Sequence, residues 1–239
     1  MKVLDLFSGI GGFSLGLERA GMETVAFCEF DKKAQLVLKK HWPDVPIFDD
    51  VRELDGKQFE GQTIDLICGG FPCQPFSVAG KRKGKEDDRN LWPEYFRLIQ
   101  EIKPRWVIGE NVVNFANMGI ETLYSNLESI NYDVQTLDIS ADSVGLPTLE
   151  RHLWIIATPH SIRCKRGISQ KVPDITPQSW EFPRNDKGNF ERWAVSQSRV
   201  CGMGKRFPGG VDRLKQLGNA VVPQVVEVIG RAIMGIETA

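Results

Sequence analysis

The chain has 239 residues, 41% of them hydrophobic and 26% charged, and a formal net charge of −1; this is enough for one large domain with a buried core, or one domain carrying a small insertion, and excludes a disordered polar tract. Five cysteines, odd in number and without a CxxC pair, argue against a disulfide framework, and with only three histidines no metal site is expected. No stretch approaches the roughly 18 uncharged apolar residues of a membrane span, and MKVLDLFSGIGGF does not read as a secretory leader, so the expectation is a soluble, cytoplasmic chain without a membrane partner.

Through residue 158, short apolar runs alternate with longer amphipathic ones, the pattern of a parallel sheet flanked by helices. In chain order the pattern predicts strand Lys2–Phe7, helix Gly12–Ala20, strand Thr24–Glu29, helix Lys32–His41 and strand Leu66–Cys68. Helix Leu91–Ile102, strand Trp106–Glu110, helix Ile120–Ile130 and strands Tyr132–Ile139 and His152–Ala157 follow. Residues 159–210, with prolines, glycines and single tryptophans but little periodicity, read as a small irregular lobe. Residues 211–239 become regular again, with GNAVVPQVVEVIGRAI as a loop and a final apolar helix expected to pack back on the first domain, 1–158.

Charge is unevenly placed. Residues 1–158 hold 17 Lys and Arg against 24 Asp and Glu, whereas residues 159–215 hold 12 against 5. A basic late lobe suits a phosphate backbone, although a solvated polar lobe has the same composition.

Three motifs carry chemistry. In VLDLFSGIGGFSLGLERAG a strand runs into a glycine turn and then a helix. Gly9, Gly11 and Gly12 let the backbone turn sharply and approach a ligand, and Glu29, ending the next strand, can accept from ribose hydroxyls. A nicotinamide dinucleotide would use the same turn, but the spacing is GxGG rather than GxGxxG, and Phe7 and Ser8 set a bulky ring where a pyrophosphate needs an open helix end. Asp50, in FDDV, could accept from an adenine amino group or simply cap a turn.

In DLICGGFPCQPFSVAGKRKGKEDDRN, Cys73 stands between Pro72 and Pro75 just past a strand and a glycine pair. Its backbone is stiffened and its thiol presented, unlike the usual buried cysteine. The basic run Lys81, Arg82, Lys83 and Lys85 follows. In PRWVIGENVVNF, Glu110 ends a strand, where a carboxylate can work as an acid near a thiolate or merely cap a loop.

Together these motifs resemble the carbon-5 cytosine-specific DNA methyltransferase family, of bacterial or phage restriction–modification type, in order and over nearly the whole chain. DLFSGIGG and FCEFD resemble its cofactor motifs, FPCQPFS its nucleophile motif, ENV its acid motif, and VDRLKQLGNAVVPQV its last two. The resemblance implies an α/β fold, a Rossmann-like methyltransferase sheet with helices on both faces plus a small target-recognition lobe over 159–210. It implies S-adenosylmethionine as cofactor, double-stranded DNA as partner and a monomer. Cofactor contacts then fall on Phe7, Ser8, Gly9, Gly11, Gly12, Glu29, Phe30, Asp50, Pro72, Leu91, Asn219 and Ala220, and catalytic roles on Cys73 and Glu110. The thiolate would add at carbon 6 of a cytosine flipped from the duplex, and Ser77–Asn90 would close over the DNA.

Two features depart from the family. Its eighth motif usually carries a glutamine and two arginines at alternate positions; ungapped, those positions are Thr148, Glu150 and His152 here, with Arg151 between. A strand period of two turns Arg151 away from Glu150 and His152; Arg151 is retained as the base contact, with His152 as its substitute. The recognition interval is also short, leaving Arg163, Lys165, Arg166, Arg184, Arg192 and Arg199 for DNA contacts. A tRNA cytosine methyltransferase and a non-catalytic nucleic-acid-binding relative are the alternatives.

Overall fold

The structure, a computed structural model, describes residues 1–72, 90–117, 119–146, 150–162 and 220–238. In these residues the chain runs β1 (Lys2–Leu6), α1 (Gly12–Arg19), β2 (Glu23–Cys28), α2 (Lys32–His41), β3 (Ile47–Phe48) and β4 (Leu66–Gly70). It continues with α3 (Trp92–Ile102), β5 (Trp106–Val112), α4 (Ile120–Ser129), β6 (Tyr132–Ser140), β7 (Arg151–Pro159) and α5 (Pro223–Thr238). The strands form one sheet in the order β3-β2-β1-β4-β5-β7-β6.

Five of the seven strands, β3 through β5 in that order, pair in parallel. The expected parallel arrangement fails at one end: β7 lies antiparallel to both β5 and β6. Among the described residues between β6 and β7 there is a single 3-10 turn at Ala141–Val144, and the chain returns as an antiparallel pair rather than by the crossover that a parallel neighbour requires.

Two apolar layers cover the sheet. One is built from Leu4, Leu6, Ile67 and Ile155 of the strands with Tyr95, Leu98 and Ile99 of α3 and Leu123 and Leu127 of α4. The other joins Val3, Leu66, Ile108 and Trp154 to Phe13 and Leu17 of α1 and to Val225, Val226, Ile229 and Ile233 of α5. The last helix therefore packs on the first. Their approach is close: a Cβ at Gly16 would stand 2.6 Å from Val226 Cβ.

Several boundaries have local causes. β1 stops at Leu6 because Phe7 turns left-handed, at φ 53, a conformation that costs a non-glycine residue of order 1 kcal/mol or more and needs surrounding support. Support comes from the Phe7 ring, set edge-on to Tyr95 at 6.2 Å, and from Ser8, whose Oγ donates to the Asp5 carbonyl at 2.6 Å. α2 begins where the Asp31 side chain accepts from the Lys33 amide at 2.8 Å, an N-cap of the usual kind.

Candidate active site

The carboxyl ends of β1, β2, β4 and β5 gather most of the described residues singled out by the sequence. Glu29 follows β2 and is half-buried. Its Oε2 accepts from the Gly9 amide at 2.6 Å and its Oε1 from the Asp31 amide at 2.7 Å. Burial pushes its carboxyl upward, against the pull of those two amides. Each oxygen keeps a lone pair for a further donor. Beside it, Phe30 is 71% exposed, an uncovered ring where a flat ligand could stack.

The three glycines of the turn differ. Gly9, at φ +54, has open space where a Cβ would stand. Gly11, at φ +87, has the Trp42 ring 2.5 Å from that point, and Gly12 has the Val221 carbonyl at 2.8 Å. The requirement for glycine at 11 and 12 thus comes from protein packing, and only Gly9 faces a vacant approach. Ser8 is 5% exposed and its hydroxyl is engaged with backbone carbonyls. Ala220 is half-buried, next to the Val221 that closes on Gly12. Asp50 binds Arg52, with Nε and Nη2 donating to its oxygens at 2.9 and 2.6 Å, and caps its own turn through the Arg52 amide at 3.0 Å; these contacts hold its carboxyl below the usual range.

Beneath the turn lies a buried acid. Asp5 is fully buried; Oδ2 accepts from Ser14 Oγ at 2.7 Å, while Oδ1 has no hydrogen-bond partner among the described residues, with the Cys68 thiol beside the carboxyl. Burial raises its carboxyl to about 7, opposed by the Ser14 bonds. Burial likewise pushes the neighbouring Cys68 thiol well up.

The second half of the site is the seam of β4, β5 and β7. Gly70 pairs with Glu110 across β4 and β5, and a Cβ on Gly70 would stand 2.6 Å from Glu110 Oε2, so the carboxylate leans over the glycine. Glu110 pairs in turn with Trp154, and Val112 with His152, across β5 and β7. His152 is thus the diagonal neighbour of Glu110 on the same face, within reach for long side chains. Its Nδ1 lies 2.7 Å from Glu110 Oε1. The Glu110 hydrogen bond raises the imidazole above its ordinary value; burial opposes this and the charges of Glu110 and Glu150 add to it.

Arg151 goes elsewhere. It projects from the opposite face of β7, pairs with Asp138 across the β6–β7 hairpin and is 61% exposed. The structure does not bring it to Glu110, as the alternation of the strand requires.

Asn111, 3% exposed, donates from Nδ2 to the Phe71 carbonyl at 3.1 Å. The Phe71 ring is set among Trp92, Tyr95 and Phe115 at 5.3–6.1 Å. The peptide entering the FPCQPFS run is therefore anchored at both its backbone and its side chain, and Pro72, next in the chain, is exposed. Leu91, half-buried, precedes α3 and packs on the same core. Cys73, Asn219, Thr148 and the arginines and lysine expected to meet DNA lie outside the described residues. Sequence reasoning missed the support given by Trp42, Val221 and Asn111; only Asn111, beside Glu110, had a position that could have drawn notice.

With this geometry in place, comparison with known proteins decides the family. The profile of the C-5 cytosine-specific DNA methylase family matches residues 1–195. The chain belongs to this family. It is 46% identical to the type II methyltransferase M.NgoMIV of Neisseria gonorrhoeae, covering 97% of this chain and 96% of that one. It is 34% identical to the type II methyltransferase M.HhaI of Haemophilus parahaemolyticus over 77% of this chain and 53% of that one. The chain thus spans about half the length of several curated relatives that it matches. Among solved structures, the Dnmt2 methyltransferase of Schizosaccharomyces pombe superposes with a TM-score of 0.67 at 17% identity, over 100% of this chain and 98% of that one, which speaks for the fold. The expected methyltransferase-type α/β sheet is the one observed. Among the described residues no group of acids, cysteines and histidines could hold a metal ion, and no helix is long and apolar enough to cross a membrane.

Proposed function

We propose that this chain transfers a methyl group from S-adenosylmethionine to carbon 5 of a cytosine flipped out of duplex DNA, through a covalent adduct on Cys73. The observation that carries the reading is the seam at Gly70, Glu110 and His152, where a carboxylate is held over a glycine beside a backbone that Asn111 anchors two residues before the cysteine.

Residues at the other half of the site fit the cofactor. The exposed Phe30 ring would stack on the adenine, the spare lone pairs of Glu29 would accept from the ribose hydroxyls, and the open space at Gly9 admits the ligand against backbone. When bound, S-adenosylmethionine supplies an electrophilic methyl group on a sulfonium. Asp50 keeps its proposed place near the adenine amino group, with its Arg52 contact to be shared or exchanged. Phe7, Ser8, Gly11 and Gly12 shape the turn; Pro72, Leu91, Asn219 and Ala220 complete the proposed contacts.

Carbon 5 of cytosine is a weak nucleophile, and the protein must make it a stronger one. The Cys73 thiolate forms a bond to carbon 6, which pushes electron density to carbon 5 and onto the ring. Glu110 holds the proton at ring nitrogen 3 while that density develops. After methylation a base takes the carbon 5 proton, the electron pair re-forms the 5,6 double bond, and the carbon–sulfur bond breaks to return the thiolate.

The base is unreachable within a stacked duplex, so it must be flipped. The proposed organisation is a catalytic domain over 1–158, a basic recognition lobe over 159–210 and a returning segment over 211–239. As a monomeric, cytoplasmic enzyme without metal, it would contact DNA through Arg163, Lys165, Arg166, Arg184, Arg192 and Arg199. The test is transfer of labelled methyl from S-adenosylmethionine to duplex DNA and, separately, to tRNA, with base-resolution mapping. Label on cytosine carbon 5 of DNA supports the proposal; label on tRNA alone, or on neither, refutes it.

A further inference from the structure

The Glu110–His152 pair has two properties beyond holding β5 to β7. First, it divides the carboxylate. Oε1 is taken by His152 Nδ1 at 2.7 Å, and Oε2 lies over Gly70, where the missing side chain leaves room. A carboxylate oxygen only accepts, so Nδ1 carries the hydrogen. Second, the ring is anchored at one nitrogen and partly open at the other: His152 is 29% exposed on its side chain, and Nε2 has no partner among the described residues.

The surroundings supply little competing charge. β5 offers Glu110, and Glu150, just before β7, lines the same cleft as His152. From β6 the facing residue is Ile139, while Asp138 is turned to Arg151 on the other face. Val222 and Val225, where α5 begins, line the cleft beside His152; of the two acids of that helix, Glu227 is tied to Arg231 at 2.8 Å and Glu237 to Arg105 at 2.6 Å. β4 contributes only Gly70 at this level. Two carboxylates and no other described cation face the imidazole, so the charged ring is favoured there.

We propose that His152 is a positioning residue for Glu110, its protonated ring holding one carboxylate oxygen so that the other faces the target base, and that methyl transfer falls as the ring loses its proton. This rests on the reading that Glu110 engages the cytosine. The charge-assisted bond is shorter and roughly twice as strong as its neutral counterpart, so deprotonation loosens Glu110 without unfolding the seam. The charged pair exists at low pH and is lost as pH rises through the raised imidazole value, giving an alkaline limb to the rate. A permanently charged guanidinium at the same position would have no such limb.

Two measurements test this. In the full chain, NMR titration of the His152 ring should give a midpoint above the ordinary imidazole value, and Glu110→Gln should bring it down; an unchanged midpoint overturns the pairing. In single-turnover methyl transfer, wild type should show the alkaline limb, His152→Arg should abolish it while retaining transfer, and His152→Gln should be about tenfold slower with no limb, the loss expected for one charge-assisted bond. A His152→Gln profile identical to wild type, or a limb surviving in His152→Arg, overturns the proposal. No transfer by wild type at any pH would instead defeat the functional reading, and the titration would still decide the pair.

Discussion

Replacing Asp5 with asparagine should make the protein more resistant to denaturation at alkaline than at acidic pH relative to wild type. Asp5 is fully buried with one oxygen unpartnered among the described residues, and its carboxyl rises from 3.8 to about 7. The folded state therefore holds a proton that the unfolded chain gives up between about pH 4 and pH 7. The stability linked to that proton is complete below the unfolded value and is lost as pH rises through the folded one. At about 1.4 kcal/mol per pH unit, the full effect is on the order of 4 kcal/mol, of which roughly 2–3 kcal/mol falls between pH 5 and 8. Asparagine does not titrate. Its carbonyl can still accept from Ser14, and any cost of burying the unpaired amide is independent of pH, so the pH dependence is the diagnostic quantity. Urea denaturation of both proteins at pH 5 and pH 8 measures it. A stability difference that is the same at both values would refute the burial argument.

Two further substitutions probe the seam. Gly70→Ala places a methyl 2.6 Å from Glu110 Oε2; because that neighbour is the end of a side chain and can move, thermal midpoint should shift by only a few degrees while single-turnover transfer drops at least tenfold, an outcome set by displacement of the carboxylate. Asn111→Ala frees the buried Phe71 carbonyl, which should cost about 1–3 kcal/mol in urea denaturation and slow covalent attack more than it weakens cofactor binding, as read by rapid-quench trapping against calorimetry.

Much of the fold was legible because its strands are short apolar runs and its helices amphipathic; α2 begins and ends where the pattern places it, and most other ends fall within two residues. The misses have physical causes. The pattern ends the strand at Cys68, yet β4 continues through Gly69 and Gly70; the Leu6 backbone leaves no room for a side chain at 69, and the Glu110 carboxylate occupies the space at 70. The two-residue β3 is too short to carry a period. Strand direction leaves no mark in the pattern, so the antiparallel β7 was not foreseen.

At the site, the alternation of β7 correctly separated Arg151 from His152, because a period of two is a local property. What it could not supply was the partner: Glu110 and His152 meet only through the register of two strands 42 residues apart in the chain. The same holds for Gly11 and Gly12, whose need for glycine is imposed by Trp42 and Val221 from distant segments rather than by a ligand.

The most direct test of the account is covalent trapping. Wild-type protein incubated with S-adenosylmethionine and duplex DNA containing 5-fluorocytosine should form a denaturation-resistant protein–DNA complex, because fluorine at carbon 5 blocks the proton loss that precedes release. Cys73→Ala should form none, and Glu29→Ala should form it only at raised cofactor concentration. A complex trapped by the Cys73→Ala protein, or no complex with wild type, would contradict the central claim that this cysteine attacks the base.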